Sequence, residues 1–579
     1  MSLSSAMQIG RSALNASQLG IAATSNNMAN AATPGYRRQI ATLTPLRGAG
    51  GGHGGSIGMG VAISDIRRQV SLSLEARTRS ALSSEHASYA RQGIIGAVEN
   101  TLGELGDSDL SSQLSSFFNA WSERANLVQS SAVVIQEGRS LASFIQGLRA
   151  DLTDQRAGID ADIGTTATRA NELLARVGDL NTAISQSEVG SVNANALRDQ
   201  RDSLLEELST IMDITVVEQG AGGVDVLVGS TPVVLGGKSR GVTLELTTAS
   251  DGSRAARLVT RDDGTTVPAA NGSLGALLAE RSDTIDRSIS SLDALASRLI
   301  FEVNKAHSTG VGATWLNSTT GTLQIPTQDQ TLALNDPANS TLAGLPFNAT
   351  NGAFSVNVRN AATGAISTVR IDVDLDGLTA AGAAGTADDT SAEDIRAALD
   401  AVGGLSASFD PSGRLVVNAD AGFEFSFADD SSSALATLGL NAYFSGTTAR
   451  DIGISSALDQ NPDMLGVGSW DGSTLVENGA ALRIAALSTT RLDALGNRSI
   501  IESWRDHVTV VASASNAASI QAESSTIVRE SLDGQRAAIS GVSLDEEAIN
   551  LMNFQRQYQA GARVIEVARQ LMDTLITLV

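Results

Sequence analysis

The stretch IDVDLDG, residues 371 to 377, sets Asp372, Asp374 and Asp376 at alternate positions ahead of Gly377. This is the first half of a calcium-loop pattern, in which oxygen ligands recur at every second position and a glycine permits the sharp turn. The bidentate acid of that pattern belongs at its twelfth position, where this chain has Ala383. The residues therefore read first as a strand. Ile371, Val373 and Leu375 face inward, the aspartates face water, and Asp376-Gly377 turns the chain, with a weak calcium site as the lesser alternative. Gly50, Gly52 and Gly55 satisfy a dinucleotide fingerprint, and Ser56 sits in a G-x-S-x-G match at 54 to 58. Both motifs need a strand before and a helix after, and a Gly-rich loop supplies neither. His53, His86, His307 and His507 are scattered without metal-ligand spacing. Asp545-Glu546-Glu547 reads as the first turn of a helix, where negative charge complements the dipole. No catalytic set, cofactor site or metal set is assigned from these residues, and no enzyme activity is expected.

The elements that would position such residues follow from composition. At 579 residues the chain exceeds a single core. Hydrophobic residues at 42% and charged residues at 18% fit a globular protein, and aromatics at 3% leave cores rich in Ala, Leu, Val and Ile. A net charge of −23 argues against nucleic acid as a partner. The absence of cysteine removes disulfides and thiolate chemistry. No apolar run is long enough for membrane insertion, and the amphipathic N-terminus lacks the layout of a secretory signal.

Both ends carry a heptad-like stripe. Met7, Leu14, Ile21 and Met28 form one line, and Gly10, Ser17 and Thr24 form a second line of small residues that permits close helix approach. Near the other end Leu551, Phe554, Tyr558, Gly561, Ile565, Ala568, Met572, Leu575 and Val579 recur at steps of three and four. Two such seams at opposite ends predict terminal helices that pack on each other and on neighbouring copies. The N-terminal helix is expected to stop at Thr33-Pro34, because the residue before proline is pushed out of the α region, and Pro34-Gly35 suits the centre of a type II turn.

Between the ends, a mixed extended stretch follows Tyr36. A mainly helical reading runs from Asp65 to Ile211, with a short helix at 111 to 126 and interruptions near glycines 158, 164, 178 and 190. Strands are expected from Ile214 to Leu258, helix from 273 to 307, and strands from 320 to 445. The latter hold one helix starting at a capping box, Thr390 to Glu393. Helix is expected again over 476 to 538. The fold class is α+β and multidomain: long helical terminal and rod domains formed by both chain ends, with inserted β-rich outer domains.

ANAATPGYRRQ and SGVSLDEEAINLMNFQRQYQAGARVIEVARQLMDTLITLV together resemble the axial proteins of the bacterial flagellum, the rod, hook and hook-associated proteins. The pattern N-N-x-x-N…G-Y-x-R-Q is met by Asn26, Asn27, Asn30, Gly35, Tyr36, Arg38 and Gln39, and S-G-V-x-L-D-E-E by residues 540 to 547. The long helical stretch after the first motif is more similar to the hook–filament junction members than to rod or hook subunits. The middle resembles the small β-α-β insert of that family.

The resemblance implies a structural protein of the flagellum that polymerises through paired terminal helices. It is exported through the flagellar channel without a Sec signal peptide and located extracellularly at the hook–filament junction. Implied partners are copies of itself in a ring or helical layer, the hook protein, the second junction protein and an export chaperone on the C-terminal helix. The expected assembly interface comprises Met7, Leu14, Ile21 and Met28, then Asn27, Asn30, Pro34, Gly35, Tyr36 and Gln39 at the helix end. On the last helix it comprises Leu551, Phe554, Tyr558, Ile565, Met572 and Leu575. Expected domains are 1–62 with 512–579 for assembly, 63–319 with 446–511 as a helical rod containing a β-rich segment at about 214–270, and 320–445 as an inserted outer domain. Rival readings are a hook or rod subunit, or a secreted adhesin or enzyme carried by the insert.

Overall fold

The computed structural model describes residues 3–47, 58–103, 109–188, 193–248, 254–470 and 474–577. Gly50, Gly52, His53, Gly55, Ser56 and Val579 lie outside them. The fold is α+β, with long helices and small antiparallel sheets in two units.

The first unit holds Met1–Ile94, Ile159–Glu280 and Asn516–Val579. Its N-terminal helix Leu3–Ala29 packs along the C-terminal helix Leu544–Thr577. A hairpin of Gln39–Pro45 and Val61–Arg68 lies against the N-terminal helix, where Ser12 Oγ accepts from Val61 N–H at 3.2 Å. The early part of helix Leu72–Leu102 runs beside the late part of helix Ile500–Ser540. Arg529 bonds Glu85 there at 2.6 Å and Ser88 meets Ser525 at 3.1 Å. A four-stranded antiparallel meander spans 214 to 239, followed by the hairpin Val242–Thr248 with Arg254–Thr260. Asn171 and Asn181 fix these sheets to helix Ser131–Ser187. Each amide side chain bonds both backbone groups of one strand residue, Val242 and Val224 respectively.

The second unit holds Ile95–Gly158 and Arg281–Ser515. Helix Leu110–Ala125 starts at Asp109, whose carboxylate accepts from Ser112 N–H, and buries Phe117, Phe118 and Trp121. Phe117 packs with Tyr443 and Phe444, and Trp121 with Tyr443. The β-rich insert contains two three-stranded antiparallel sheets. One is ordered Ser318–Thr320, Leu415–Ala419, Leu405–Phe409, and the other Ile366–Val373, Gly352–Asn360, Phe423–Ala428. Phe354, Val356, Phe425 and Phe427 form their core with Ile395 and Leu399 of helix Ala392–Asp400.

Several local expectations give way. Residues 65 to 68 are strand rather than helix. Gly158, Gly164 and Gly178 do not interrupt helix Ser131–Ser187. A helical glycine costs only about 1 kcal/mol against alanine, which the packing of a long helix overrides. Gly178 also has a packing reason, since a Cβ there would stand 2.7 Å from Gly237 O. The insert helix is capped by Ser391 with Asp394, one residue later than expected, through reciprocal side-chain and backbone bonds. Residues 281 to 286 form a π-helical turn, and helix is absent from 487 to 499 apart from one short 3-10 turn.

Candidate assembly site

The N-terminal helix meets the C-terminal helix along its small residues. Gly10, Ala16, Ser17, Gly20, Ala23, Thr24 and Asn27 are the buried ones, while Met7, Leu14, Ile21 and Met28 are half-buried. A Cβ on Gly10 would stand 2.7 Å from Ile565 Cγ1, and one on Gly20 2.6 Å from the Phe554 ring. Conversely, a Cβ on Gly561 would stand 3.4 Å from Leu14 Cδ2 and 3.3 Å from Gly10 O. Position numbers rise on one helix as they fall on the other, so the pair is antiparallel. Large residues of the C-terminal seam thus enter gaps left by glycines, which brings the backbones close and gains dispersion contacts on both sides.

Gly10→Val should separate the pair at its tightest point. The expected cost is on the order of 2 kcal/mol. Thermal unfolding of the variant beside wild type checks this, and an unchanged midpoint would contradict the packing described.

Not every seam residue is covered. Leu551, Phe554, Ile565 and Met572 are half-buried, but Tyr558 is exposed and so is Leu575. A second apolar row on the same helix is also bare. Ile549, Met552, Val564, Val567 and Leu571 are each 43 to 54% exposed, and Leu575 of the seam, at 52%, continues the row.

The helix ends at Ala29, earlier than expected. Asn30 donates its side-chain amide to Asn26 O at 3.0 Å, and Thr33 N–H bonds Asn30 O at 2.9 Å, so side-chain and turn bonds replace the last helical turn. Exposed Pro34 and half-buried Gly35 occupy the centre of a turn closed by Tyr36 N–H to Thr33 O at 3.2 Å. Gly35 has φ +77, as a type II turn requires at its third position.

Asn27 then organises the joint, with all of its amide capacity used. Oδ1 accepts from Tyr36 Oη at 2.8 Å and from Gln39 N–H at 2.9 Å. Nδ2 donates to Gln39 O at 2.9 Å and to Glu547 Oε2 at 2.9 Å. Asn26 donates to Tyr36 Oη at 3.0 Å. Burial pushes the Tyr36 phenol up to about 12, so it stays a donor. One side chain therefore joins the helix end, the turn, the first strand and the C-terminal helix.

Charged residues extend the joint. Arg38 meets Glu547 at 2.7 Å and Glu546 at 3.0 Å, and its N–H donates to Ser540 O at 3.0 Å. Arg37, on the other side, meets Glu206 at 2.7 Å and Glu75 at 3.3 Å, and Arg536 reaches the same Glu206 at 2.8 Å. Arg68 meets Asp199 and Asp202 at 2.9 and 2.6 Å. Burial pushes the Glu75 and Asp199 carboxyls up, against the pull of Arg37 and Arg68 respectively. These acids come from segments far apart in sequence and carry no local motif, so spacing alone does not reveal them. Glu547 was legible as a helix-start acid and as the last residue of the S-G-V-x-L-D-E-E motif, but not as the partner of Asn27 and Arg38. The adjacent basic residues Arg37 and Arg38 are the local feature from which acidic partners elsewhere could have been sought.

A glycine seam and a buried joint pair the chain's own ends. Comparison with known proteins places these two ends in families. Residues 95–323 match the flagellar hook-associated protein FlgK helical domain. Residues 535–578 match the flagellar basal body rod FlgEFG protein C-terminal family, and residues 7–37 the flagella basal body rod protein family. Flagellar hook-associated protein 1 of Escherichia coli (strain K12) is 24% identical over the whole of both chains. That of Bacillus subtilis (strain 168) is 31% identical over 38% of this chain and 45% of its own length. The flagellar hook junction protein FlgK from Burkholderia pseudomallei, 13% identical, shares the fold over 80% of this chain and all of its own, with a TM-score of 0.51. With its two terminal helices matching the axial families, its helical middle matching the FlgK domain and full-length relatives of one name, the chain belongs to the hook-associated protein 1 family of flagellar axial proteins.

Proposed function

We propose that the chain forms the junction layer between hook and filament, as a structural protein without catalytic turnover. The observation that carries this reading is the antiparallel terminal pair whose C-terminal helix keeps a bare apolar row from Ile549 to Leu575. Fully covering one such side chain contributes roughly 1.5–3 kcal/mol, so the row favours a neighbour. Copies of the same chain are the natural occupants, since head-to-tail contacts between identical subunits generate rings and helical layers. Met7, Leu14, Ile21, Asn27, Met28, Asn30, Pro34, Gly35, Tyr36 and Gln39 on one side and Leu551, Phe554, Tyr558, Ile565, Met572 and Leu575 on the other are the assembly residues: they pair within one chain, and those left half-buried or exposed meet the neighbour together with the bare row. Before assembly the same row suits an export chaperone. Once assembled, the layer meets the hook protein on one face and the second junction protein on the other. The protein reaches its extracellular place through the flagellar channel, and among the described residues no helix is long and apolar enough to cross a membrane.

Electron microscopy of cells lacking the gene, with flagellin assayed in the medium, tests this. The expected result is hooks without filaments and unpolymerised flagellin outside. Normal filaments overturn the proposal, and loss of the hooks themselves moves the chain to the rod or hook.

A further inference from the structure

We propose that Asp374, Asp376 and Asp389 form a calcium site in the β-rich insert. The three carboxylates each place an oxygen within 4.8 Å of the others. Asp374 and Asp376 follow strand Ile366–Val373 and are exposed, while Asp389 arrives just before the helix capped by Ser391 and is only 5% exposed. The backbone clamps the two segments together. Asp374 N–H donates to Thr390 Oγ1 at 2.8 Å, Thr390 N–H donates to Asp374 O at 2.7 Å, and Gly377 N–H donates to Asp389 Oδ2 at 3.2 Å. Gly377 has φ +71, which turns the chain back toward Asp389.

The second observation concerns Asp389 alone. Its Oδ2 accepts from Asn335 Nδ2 at 2.6 Å as well as from Gly377, but its buried Oδ1 has no hydrogen-bond partner. An orphaned buried carboxylate oxygen is strongly unfavourable unless a cation or donor meets it. The Asp389 carboxylate thus reaches the cluster while one of its oxygens keeps its full accepting capacity free. Among the described residues no lysine or arginine pairs with any of the three, whereas neighbouring Asp372 is held by Arg370 at 2.7 Å. The cluster thus gathers three negative charges with no basic side chain to balance them.

Oxygen ligands alone select a hard cation. Calcium lies about 2.4 Å from its ligands, so oxygens within 4.8 Å of one another can share one coordination sphere, and calcium accepts irregular, partly hydrated oxygen shells that magnesium, with its near-ideal octahedron, does not. The exposed sides of Asp374 and Asp376 leave room for waters to complete the shell. The ligand missing at the twelfth loop position is supplied instead by Asp389, through a longer excursion of the chain.

Isothermal titration of calcium chloride into the chelator-stripped full-length protein tests this, repeated with magnesium and with the double variant Asp374→Asn, Asp376→Asn. The expected result is one calcium per chain with Kd about 10⁻⁴ to 10⁻³ M, weakened at least about tenfold in the variant and weaker for magnesium. Both substitutions are at exposed positions, and circular dichroism verifies that the variant is folded. Independently, calcium should slow amide exchange in the wild-type protein between residues 374 and 390. No calcium binding, equal affinity in the variant (an adventitious ion only), or slowed exchange confined to other regions overturns the proposal.

Discussion

Asn27→Asp is expected to destabilise the terminal pair by about 3–5 kcal/mol at neutral pH, the range for leaving a buried charge without its partner. Asn27 is 1% exposed and Glu547 2%. The substitution turns the Nδ2 donor at 2.9 Å from Glu547 Oε2 into a second carboxylate oxygen. Arg38 already serves Glu547 and Glu546, so it cannot neutralise a third acid fully. The bond to Gln39 O is lost as well, while the bonds from Tyr36 and Gln39 N–H can persist.

The mechanism has a signature in pH. Two buried acids in contact raise the folded pKa of one of them above its unfolded value, so the folded state binds the extra proton. The penalty should therefore be fully present above that raised pKa and shrink as pH falls through it toward the ordinary carboxylate range. Urea unfolding of the variant and the wild-type protein at pH 7 and pH 5 measures both effects. A penalty below about 1 kcal/mol, or one that grows on acidification, would contradict the joint as described. Asn27→Ala should cost less, about 1–3 kcal/mol, because it leaves unsatisfied groups without adding a charge.

Acid should weaken the second unit through His307. This ring is fully enclosed, with Trp121 and Tyr443 against it. Its Nδ1–H donates to Asn441 O at 2.8 Å and its Nε2 accepts from Gly466 N–H at 2.9 Å, a pattern only the neutral imidazole can satisfy. Burial pushes its pKa down from 6.5 to about 4. Between those values the unfolded chain holds the proton and the folded chain does not. The stability from neutral His307 is thus complete above pH 6.5 and falls as pH drops toward 4, by about 3 kcal/mol in all. His507, also held down by burial, acts in the same direction. The difference between wild type and His307→Gln isolates the first ring. The variant should be less stable at pH 7 but should lose less on acidification. Parallel pH profiles would contradict this role.

Much of the helical frame was legible because long periodic segments state their own structure. The short helix at Leu110 and the turn at Pro34-Gly35 follow from local chemistry. The seam was readable as a repeat, yet the buried line proved to be the small residues rather than Met7, Leu14, Ile21 and Met28. Close approach of two helices favours glycine over bulk, and Gly20 falls off the strict seven-residue count. Helix breaks were over-read at Gly158 and Gly164, because propensity is weak beside the packing of 57 residues in one helix. The ion pairs of Arg37 and Arg68 and the approach of Asp389 to Asp374 are long-range, and no spacing rule encodes them.

Location in an intact flagellum tests the central claim most directly. The natural chain has no cysteine, so Ala362→Cys, at an exposed turn of the insert, gives one unique thiol. Flagella from a functional Ala362→Cys strain would be labelled with maleimide-gold and viewed by electron microscopy. A single narrow band of gold at the boundary of hook and filament is the predicted result. Gold distributed along the hook, along the filament or in the rod would contradict a junction layer.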